Sequence, residues 1–280
     1  MKKLSLDKIV LKTKKYIFGD LLGNKNSKIL GDGYDFAQIS PYIYGQNIRR
    51  IDAYSSAKKN ELHVRDFYES KDVHVHLVVC ASGSLHFGTK RFKQDVIAEV
   101  LALLGFSAIK DAQSVSYSLV GEKVLESFHT KKTKSILLKT IENFLKKDLK
   151  GKSVDYSFLN SYLLKQKRSL VFLIGDFFEL PKIKSAAKKH EIVLIRVRDI
   201  FENNPSFRGE IDVLNPISMK NSHISFDKYF AKKYKEKLRR HDLHVGEYLK
   251  RLRIEVIDIF TYENIYQKIE KSLKGWSWKS

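Results

Sequence analysis

The chain has 280 residues, 43% of them hydrophobic and 30% charged, which is enough apolar mass for a core that needs no staple. Lysine and arginine number 52 against 32 aspartates and glutamates, a formal charge of +20 at pH 7. A field of that sign attracts nucleic acid, anionic lipid or an acidic protein, and by itself does not choose among them. The single cysteine, Cys80, excludes an intramolecular disulfide; with no secretory signal read at the N-terminus, the expected home is the reducing cytoplasm.

Residues 4–22 place Leu4, Ile9, Leu11 and Tyr16 at mixed helical spacing, which predicts a first amphipathic helix ended by Gly23. From Lys28 to Ser70, Gly31, Gly33, Pro41 and Gly45 punctuate short segments. That predicts a loop-rich, extended leader with one or two short strands, one of them around 61–68. Tyr34, Phe36, Tyr42, Tyr44 and Ile51 give the leader apolar mass to pack. The longest apolar run, over 96–109, is too short to cross a bilayer and carries Glu99, so it reads as a buried helix and no membrane span is expected.

After Asp72 strands and helices alternate. Strands are predicted over 73–79, 114–120, 169–175, 191–197, near 210–214 and over 253–259. Helices are predicted over 90–110, 132–149, 156–166, 181–189, 227–250 and 262–273. Short apolar strands separated by helices predict an α/β fold, a doubly wound and mostly parallel Rossmann-type sheet covered on both faces. The expected division is a leader of residues 1–71 and a sheet domain of residues 72–280. In such sheets ligands bind beyond the carboxyl ends of the strands, at the topological switch point.

Two strand ends carry the candidate chemistry. Cys80-Ala81-Ser82-Gly83-Ser84 follows the first sheet strand and Gly175-Asp176 follows the later apolar one. If these strands are neighbours, Ser82, Ser84 and Asp176 converge on one crevice of hydroxyl and carboxylate oxygens. Such a set suits a hard divalent cation such as Mg²⁺, which takes oxygen ligands and borrows a carboxylate from what it binds.

The stretch 31–70 resembles the leader of the domain of unknown function 58 family, whose pattern is roughly G-x-E-F, R-x-Y-x-x-G-D, R-x-I-D-W, A-R, L-x-V-R-x-F-x-E. Asp35-Phe36, Pro41-Tyr42, Gly45, Arg49-Arg50-Ile51-Asp52, Ala57-Lys58, Leu62, Val64-Arg65 and Phe67-Tyr68-Glu69 fit it in order. The likeness continues through His190-Glu191-Ile192-Val193 and Arg196-Val197-Arg198-Asp199. What it implies is a von Willebrand factor A-like domain with a metal-ion-dependent adhesion site. It also implies an accessory role beside an AAA+ ATPase of the MoxR type, in maturation or assembly of other proteins.

The departures bear on that site. Cys80 stands where the family's D-x-S-x-S motif begins with aspartate, and a thiol is a soft ligand ill suited to Mg²⁺. Ser153-Val154-Asp155 stands where threonine-aspartate is usual, leaving Asp176 and Asp155 as the acids. In the leader, Gln46-Asn47 replaces Gly-Asp-Asp and Ala53-Tyr54 replaces the tryptophan position. The site therefore reads as degenerate: no cofactor is expected, Mg²⁺ is the ion it would take, and Ser82, Ser84 and Asp176 would hold it. Without that ion, Ser82 and Ser84 cap the following turn and Asp176 orders backbone N–H groups. Arg49, Arg50, Asp52, Cys80 and Asp155 are the candidate partner contacts, with an internal Arg49/Arg50–Asp52 ion pair as the other reading of that cluster.

Other residues have plainer readings. His74 and His76 lie on one side of a strand, about 6.6 Å apart, and Cys80 lies roughly 13 Å beyond His76 at strand rise, which excludes a His/His/Cys site and leaves structural histidines. Cys80 reads as a buried, inert thiol. There is no G-x-x-x-x-G-K-[ST] phosphate loop. The helix at 226–252 lines up Phe230, Tyr234, Leu238, Val245 and Leu249, with lysine and arginine elsewhere; it reads as a sheet-covering helix with a cationic side. Its tyrosines and basic face are also the ground for an alternative, a basic nucleic-acid-binding protein. Trp276 and Trp278 read as partial packing of a terminus. With no general base beside a placed partner, the chain reads as a non-enzymatic binding module.

Overall fold

A computed structural model describes residues 30–68, 74–130, 133–205 and 207–273. The predicted helix over 4–22 and the two tryptophans lie outside the described residues. The described residues divide into two compact units, one within Gly23–Asp72 and one within Val73–Ser280.

In the smaller unit, β1 (Leu30–Pro41) pairs antiparallel with β2 (His63–Tyr68), with register shifts between Gly31 and Phe36 and between Phe36 and Gln38. A helix, α1 (Ala53–Lys59), fills the connection and ends at Asn60 in the left-handed region, φ 56°. The leader is thus more regular than the glycine and proline punctuation predicted. Asp52 caps α1, accepting from the Ser55 N–H at 2.7 Å. Its charge is met by Arg65, whose Nε donates to Oδ2 at 2.6 Å. Arg65, across β2, and not Arg49 or Arg50, is therefore the partner that the structure shows for Asp52. The Arg50 guanidinium packs over the Phe67 ring at 5.3 Å. The Ser55 backbone bond and the Arg65 bond together hold the Asp52 carboxyl down at about 2.

The larger unit begins with β3 (His74–Cys80), α2 (Lys93–Lys110), β4 (Ser114–Val120), β5 (Val124–Thr130), α3 (Lys134–Lys146), α4 (Tyr156–Lys165) and β6 (Leu170–Gly175). It continues with α5 (Lys184–Lys189), β7 (Glu191–Arg198), α6 (Ile200–Asn203), β8 (Gly209–Leu214), β9 (Asn221–Phe226), α7 (Lys228–Arg251), β10 (Glu255–Phe260) and α8 (Ile265–Leu273). One sheet runs β10-β7-β6-β3-β4-β5, and every pairing in it is parallel except β4 with β5. This is the predicted doubly wound, mostly parallel α/β arrangement. β5, an edge strand entered through the Gly121–Lys123 turn, and β9 are not among the predicted strands. The strand near 210–214 pairs with β9 in a separate hairpin instead of joining the sheet.

The strand sequences are apolar on both faces because both faces are covered. Val75, Leu77 and Val79 of β3, with Leu170, Phe172 and Ile174 of β6, pack with α2, α3 and α8. Val78 and Cys80, with Val171 and Leu173, pack with α4, α5 and α7. This period of two assigns each residue its side. The α2 helix is buried almost all round, which is why its sequence carries no polar stripe.

Where β3 and β4 begin, the second face is polar. The His74 ring meets Ser114 Oγ at 2.7 Å and Ser116 Oγ at 2.6 Å, and Ser116 also meets His129 Nδ1 at 3.2 Å. His76 Nε2 meets Ser118 Oγ at 2.8 Å, and Ser118 meets Tyr162 Oη at 2.7 Å. Both histidines are accounted for as structural groups. Burial, seconded by the neighbouring His74, pushes the His76 pKa from 6.5 down to about 3.

That shift has a sign. The unfolded chain protonates His76 near 6.5 and the folded one near 3, so the unfolded state binds more protons in between. The contribution is whole above 6.5 and is lost as pH falls toward 3. His76→Gln keeps a donor for Ser118 without titrating. The drop in denaturant midpoint from about pH 7.5 to about pH 4.5 should be smaller in the variant than in the native protein; an equal drop would assign the acid sensitivity to other groups.

Candidate functional site

Strands β3 and β6 lie side by side, with Val79 level with Ile174. The chain moves outward from β3 to β4 and β5 and then returns to the other side of β3 at β6. The switch point is therefore between β3 and β6, and it brings the two predicted segments together. Close approach here depends on a glycine: a Cβ on Gly175 would lie 2.9 Å from the Cys80 Cβ.

Ser82, Ser84 and Asp176 meet as predicted. Ser84 Oγ donates to Asp176 Oδ2, and the two serine hydroxyls share a hydrogen bond of 2.7 Å. Ser82 also caps the short 3-10 turn Gly83–His86, accepting from the Ser84 N–H at 3.3 Å. All three residues are buried, at 7%, 8% and 6% exposure. Part of the cover is the turn between β8 and β9: a Cβ on Gly83 would run into the Pro216 carbonyl, and Gly83 N–H donates to Lys152 O at 2.9 Å. The crevice is roofed by the chain itself.

The structure adds residues that the sequence did not single out. Lys93, the first residue of α2, is fully buried, and its Nζ donates to Asp176 Oδ2 at 3.0 Å and to Glu202 Oε1 at 2.7 Å. The rings of Phe178 and Phe87 lie 5.1 and 5.9 Å from that ammonium. Glu202 is fixed in turn by α6, where its Oε2 accepts from the Asp199 N–H at 2.8 Å in a capping box. Burial raises the pKa of Glu202 against the pull of Lys93. Arg198 stacks over Phe178 at 3.7 Å and donates from Nε to the Asp176 carbonyl at 2.6 Å. Burial lowers its pKa, with Asp242 opposing.

The other candidates take varied places. Cys80 is buried at 2% exposure, and burial together with the Asp176 charge pushes its thiol far up, so it stays protonated. Asp155 caps α4, its Oδ1 accepting from the N–H groups of Ser157 and Phe158 at 2.8 and 3.1 Å. It is exposed, and its own N–H donates to Gly121 O at 3.3 Å. Arg49, Arg50 and Asp52 belong to the smaller unit. Among the described residues, no group of three or more histidine, cysteine, aspartate or glutamate side chains is placed to hold a metal ion. No helix among them is long and apolar enough to cross a membrane.

A switch-point crevice at the carboxyl ends of a doubly wound sheet, with serines after one strand and aspartate after its neighbour, defines a von Willebrand factor A-like module. Residues 38–244 match the family described as "Protein of unknown function DUF58", and the chain belongs to that family. Among solved structures it is similar to the conserved hypothetical protein BatB from Bacteroides thetaiotaomicron, at 9% identity and a TM-score of 0.41, covering 72% of this chain and 98% of that one. It is similar also to an aerotolerance-related membrane protein from Bacteroides fragilis NCTC 9343, at 10% and 0.40, covering 72% and 97%. The pilus adhesin SpaC from Lactobacillus rhamnosus GG gives 12% and 0.38, covering 74% and 30%. A comparison with curated proteins finds no match.

The Lys93 cluster sets a stability test. Lys93→Met leaves the Asp176 and Glu202 carboxylates buried without the ammonium, which should cost about 3–5 kcal/mol. Adding Glu202→Gln removes one of the two stranded charges and should recover part of that loss. Denaturant unfolding of the single and double variants checks both; strictly additive losses would mean that the two side chains do not act on each other.

Proposed function

We propose that the chain is a non-enzymatic protein-binding adapter of the cytoplasm with a degenerate metal-ion-dependent adhesion site. In this reading it acts beside an AAA+ ATPase of the MoxR type in the maturation or assembly of other proteins. One observation carries the adapter reading: the groups at the switch point are committed to one another. Ser84 and Lys93 are bonded to Asp176, Ser82 to Ser84, and Cys80 is a protonated thiol. A general base needs a free lone pair within reach of substrate; here Asp176 Oδ2 accepts from both Ser84 and Lys93, and all of these side chains are buried. The ATPase partner is what family membership supports. The candidate contacts for it are exposed Asp155 on the larger unit and Arg49, Arg50 and the Asp52 segment on the smaller.

The nucleic-acid reading has a weaker footing. On α7, Val245 and Leu249 are buried and Tyr234 and Tyr248 half-buried, so the exposed face is mostly lysine and arginine, interrupted by Glu236, Leu243 and Glu247, with Tyr229 near its start. Single-strand binders interleave such cations with stacking aromatics, whereas here the later tyrosines are turned toward the packed side.

The full chain, used as bait in native extract under gentle conditions, should recover an AAA+ ATPase identified by mass spectrometry. Recovery should drop with Asp155→Lys or Arg49→Glu/Arg50→Glu. Recovery of no such ATPase would overturn the partnership. Retention of DNA or RNA that weakens steeply with salt would favour the alternative.

A further inference from the structure

The oxygen set at the switch point does not fit a divalent ion. Mg²⁺ requires oxygen ligands in near-octahedral array, with carboxylate charge among them. The position that would supply the second carboxylate from β3 is the protonated Cys80 thiol. The serine hydroxyls are turned to each other and to Asp176. Asp176 Oδ2, the carboxylate oxygen beside Ser84, already accepts from both Ser84 and the Lys93 ammonium.

We propose that the Lys93 ammonium is a tethered counter-cation, standing where a metal ion would stand at the carboxyl ends of β3 and β6. Its surroundings are those of a bound cation. It is fully buried, with carboxylate oxygens of Asp176 and Glu202 at 3.0 and 2.7 Å and two aromatic faces at 5.1 and 5.9 Å. Rings attract a cation through their quadrupole, and a compact ammonium with three donors is a point charge suited to such a cage. Lys93 is held at both ends, since its backbone N–H donates to Phe87 O at 2.9 Å. A second cation sharing Oδ2 would face the ammonium at close range. The site is therefore assembled by the chain and excludes the metal, and a partner of this module needs neither a divalent ion nor an acidic residue of its own to complete the coordination. The inference rests on reading the crevice as a degenerate adhesion site and not on which partner is captured.

Mn²⁺ titration followed by electron paramagnetic resonance, with calorimetry alongside, tests it on the full chain. The native protein and Cys80→Asp should both leave Mn²⁺ free up to about 1 mM, the weak end of protein sites for hard cations. The triple variant Cys80→Asp/Lys93→Gln/Glu202→Gln, which opens the position and supplies two aspartates, should retain one ion. One ion retained by the native protein would overturn both this inference and the degenerate-site reading. Binding by Cys80→Asp as tight as that of the triple variant would overturn the role of Lys93 alone. A folded triple variant that retains nothing would show that the position is not a cation site. Reductive methylation of the native protein, read by mass spectrometry, needs no variant. Lys93 should stay unmodified while exposed lysines react, becoming reactive only on unfolding; ready modification in the native state would overturn the caged ammonium.

Discussion

An ammonium withdrawn from water has lost its hydration, and the protein must replace that loss with charge and hydrogen bonds or not hold it at all. The cluster at Lys93 is drawn from three places in the chain, two of which supply that charge. The lysine opens the helix after β3, Asp176 follows β6, and Glu202 lies in the short helix after β7. These groups meet because β3, β6 and β7 are consecutive in the sheet and held in register, Val79 beside Ile174 and Ile174 beside Ile195. A shift of one strand would cost the ammonium at least one of its two carboxylate partners. The strand order and the ion cluster are thus conditions of one another, and the cluster penalises other registers as well as filling space.

The helix geometry adds a second constraint. Side chains lean toward a helix's N-terminus, which carries Nζ of Lys93 back past the first turn and over the strand ends. The same terminus concentrates positive partial charge, an unfavourable neighbour for an ammonium, so Asp176 and Glu202 answer the helix as well as the lysine. At the opposite end of the sheet the polar chemistry is neutral: histidines held uncharged by burial trade hydrogen bonds with Ser114, Ser116 and Ser118. Hydroxyl and imidazole can each both donate and accept, so that ladder needs no counter-ion. The buried ion cluster lies at the end where loops bring it together.

This contrast also explains what could be read from the sequence. The strands at 73–79, 114–120, 169–175 and 191–197 announced themselves because burial on both faces leaves a continuous apolar run. Their ends then placed Ser82, Ser84 and Asp176 correctly. The β9 strand, Asn221–Phe226, is largely exposed and half polar, so no such run marks it. The twelve residues of β1 carry two glycines that its irregular pairing with β2 absorbs. Lys93 gave no local sign, since lysine at a helix start is ordinarily a surface residue and only the tertiary fold buries it. Glu202 was partly legible: Asp199 followed three residues later by Glu202 is the spacing of a capping box, and the cap is what turns the glutamate inward. Asp52 shows the opposite limit. Its neighbours Arg49 and Arg50 were the nearest cations in sequence, but the antiparallel bridge between Ile51 and Val64 of β2 brings Arg65 across to it instead.

Cys80 and Lys93 make sense together. With aspartate at position 80, the cluster would gain a carboxylate beside Asp176 and Glu202 with no added cation to answer it. A divalent ion could answer it, but the ammonium already occupies the shared oxygen. With a protonated thiol at position 80, no such charge is added: Lys93 answers Asp176 and Glu202, and Arg198 answers Asp242. A hydrophobic side chain could also be neutral there, yet the approach of β6 limits its size: Gly175 already comes so near that a Cβ on it would collide with that of Cys80. A small, neutral, apolar-tolerant residue is what the position requires, and cysteine meets that requirement.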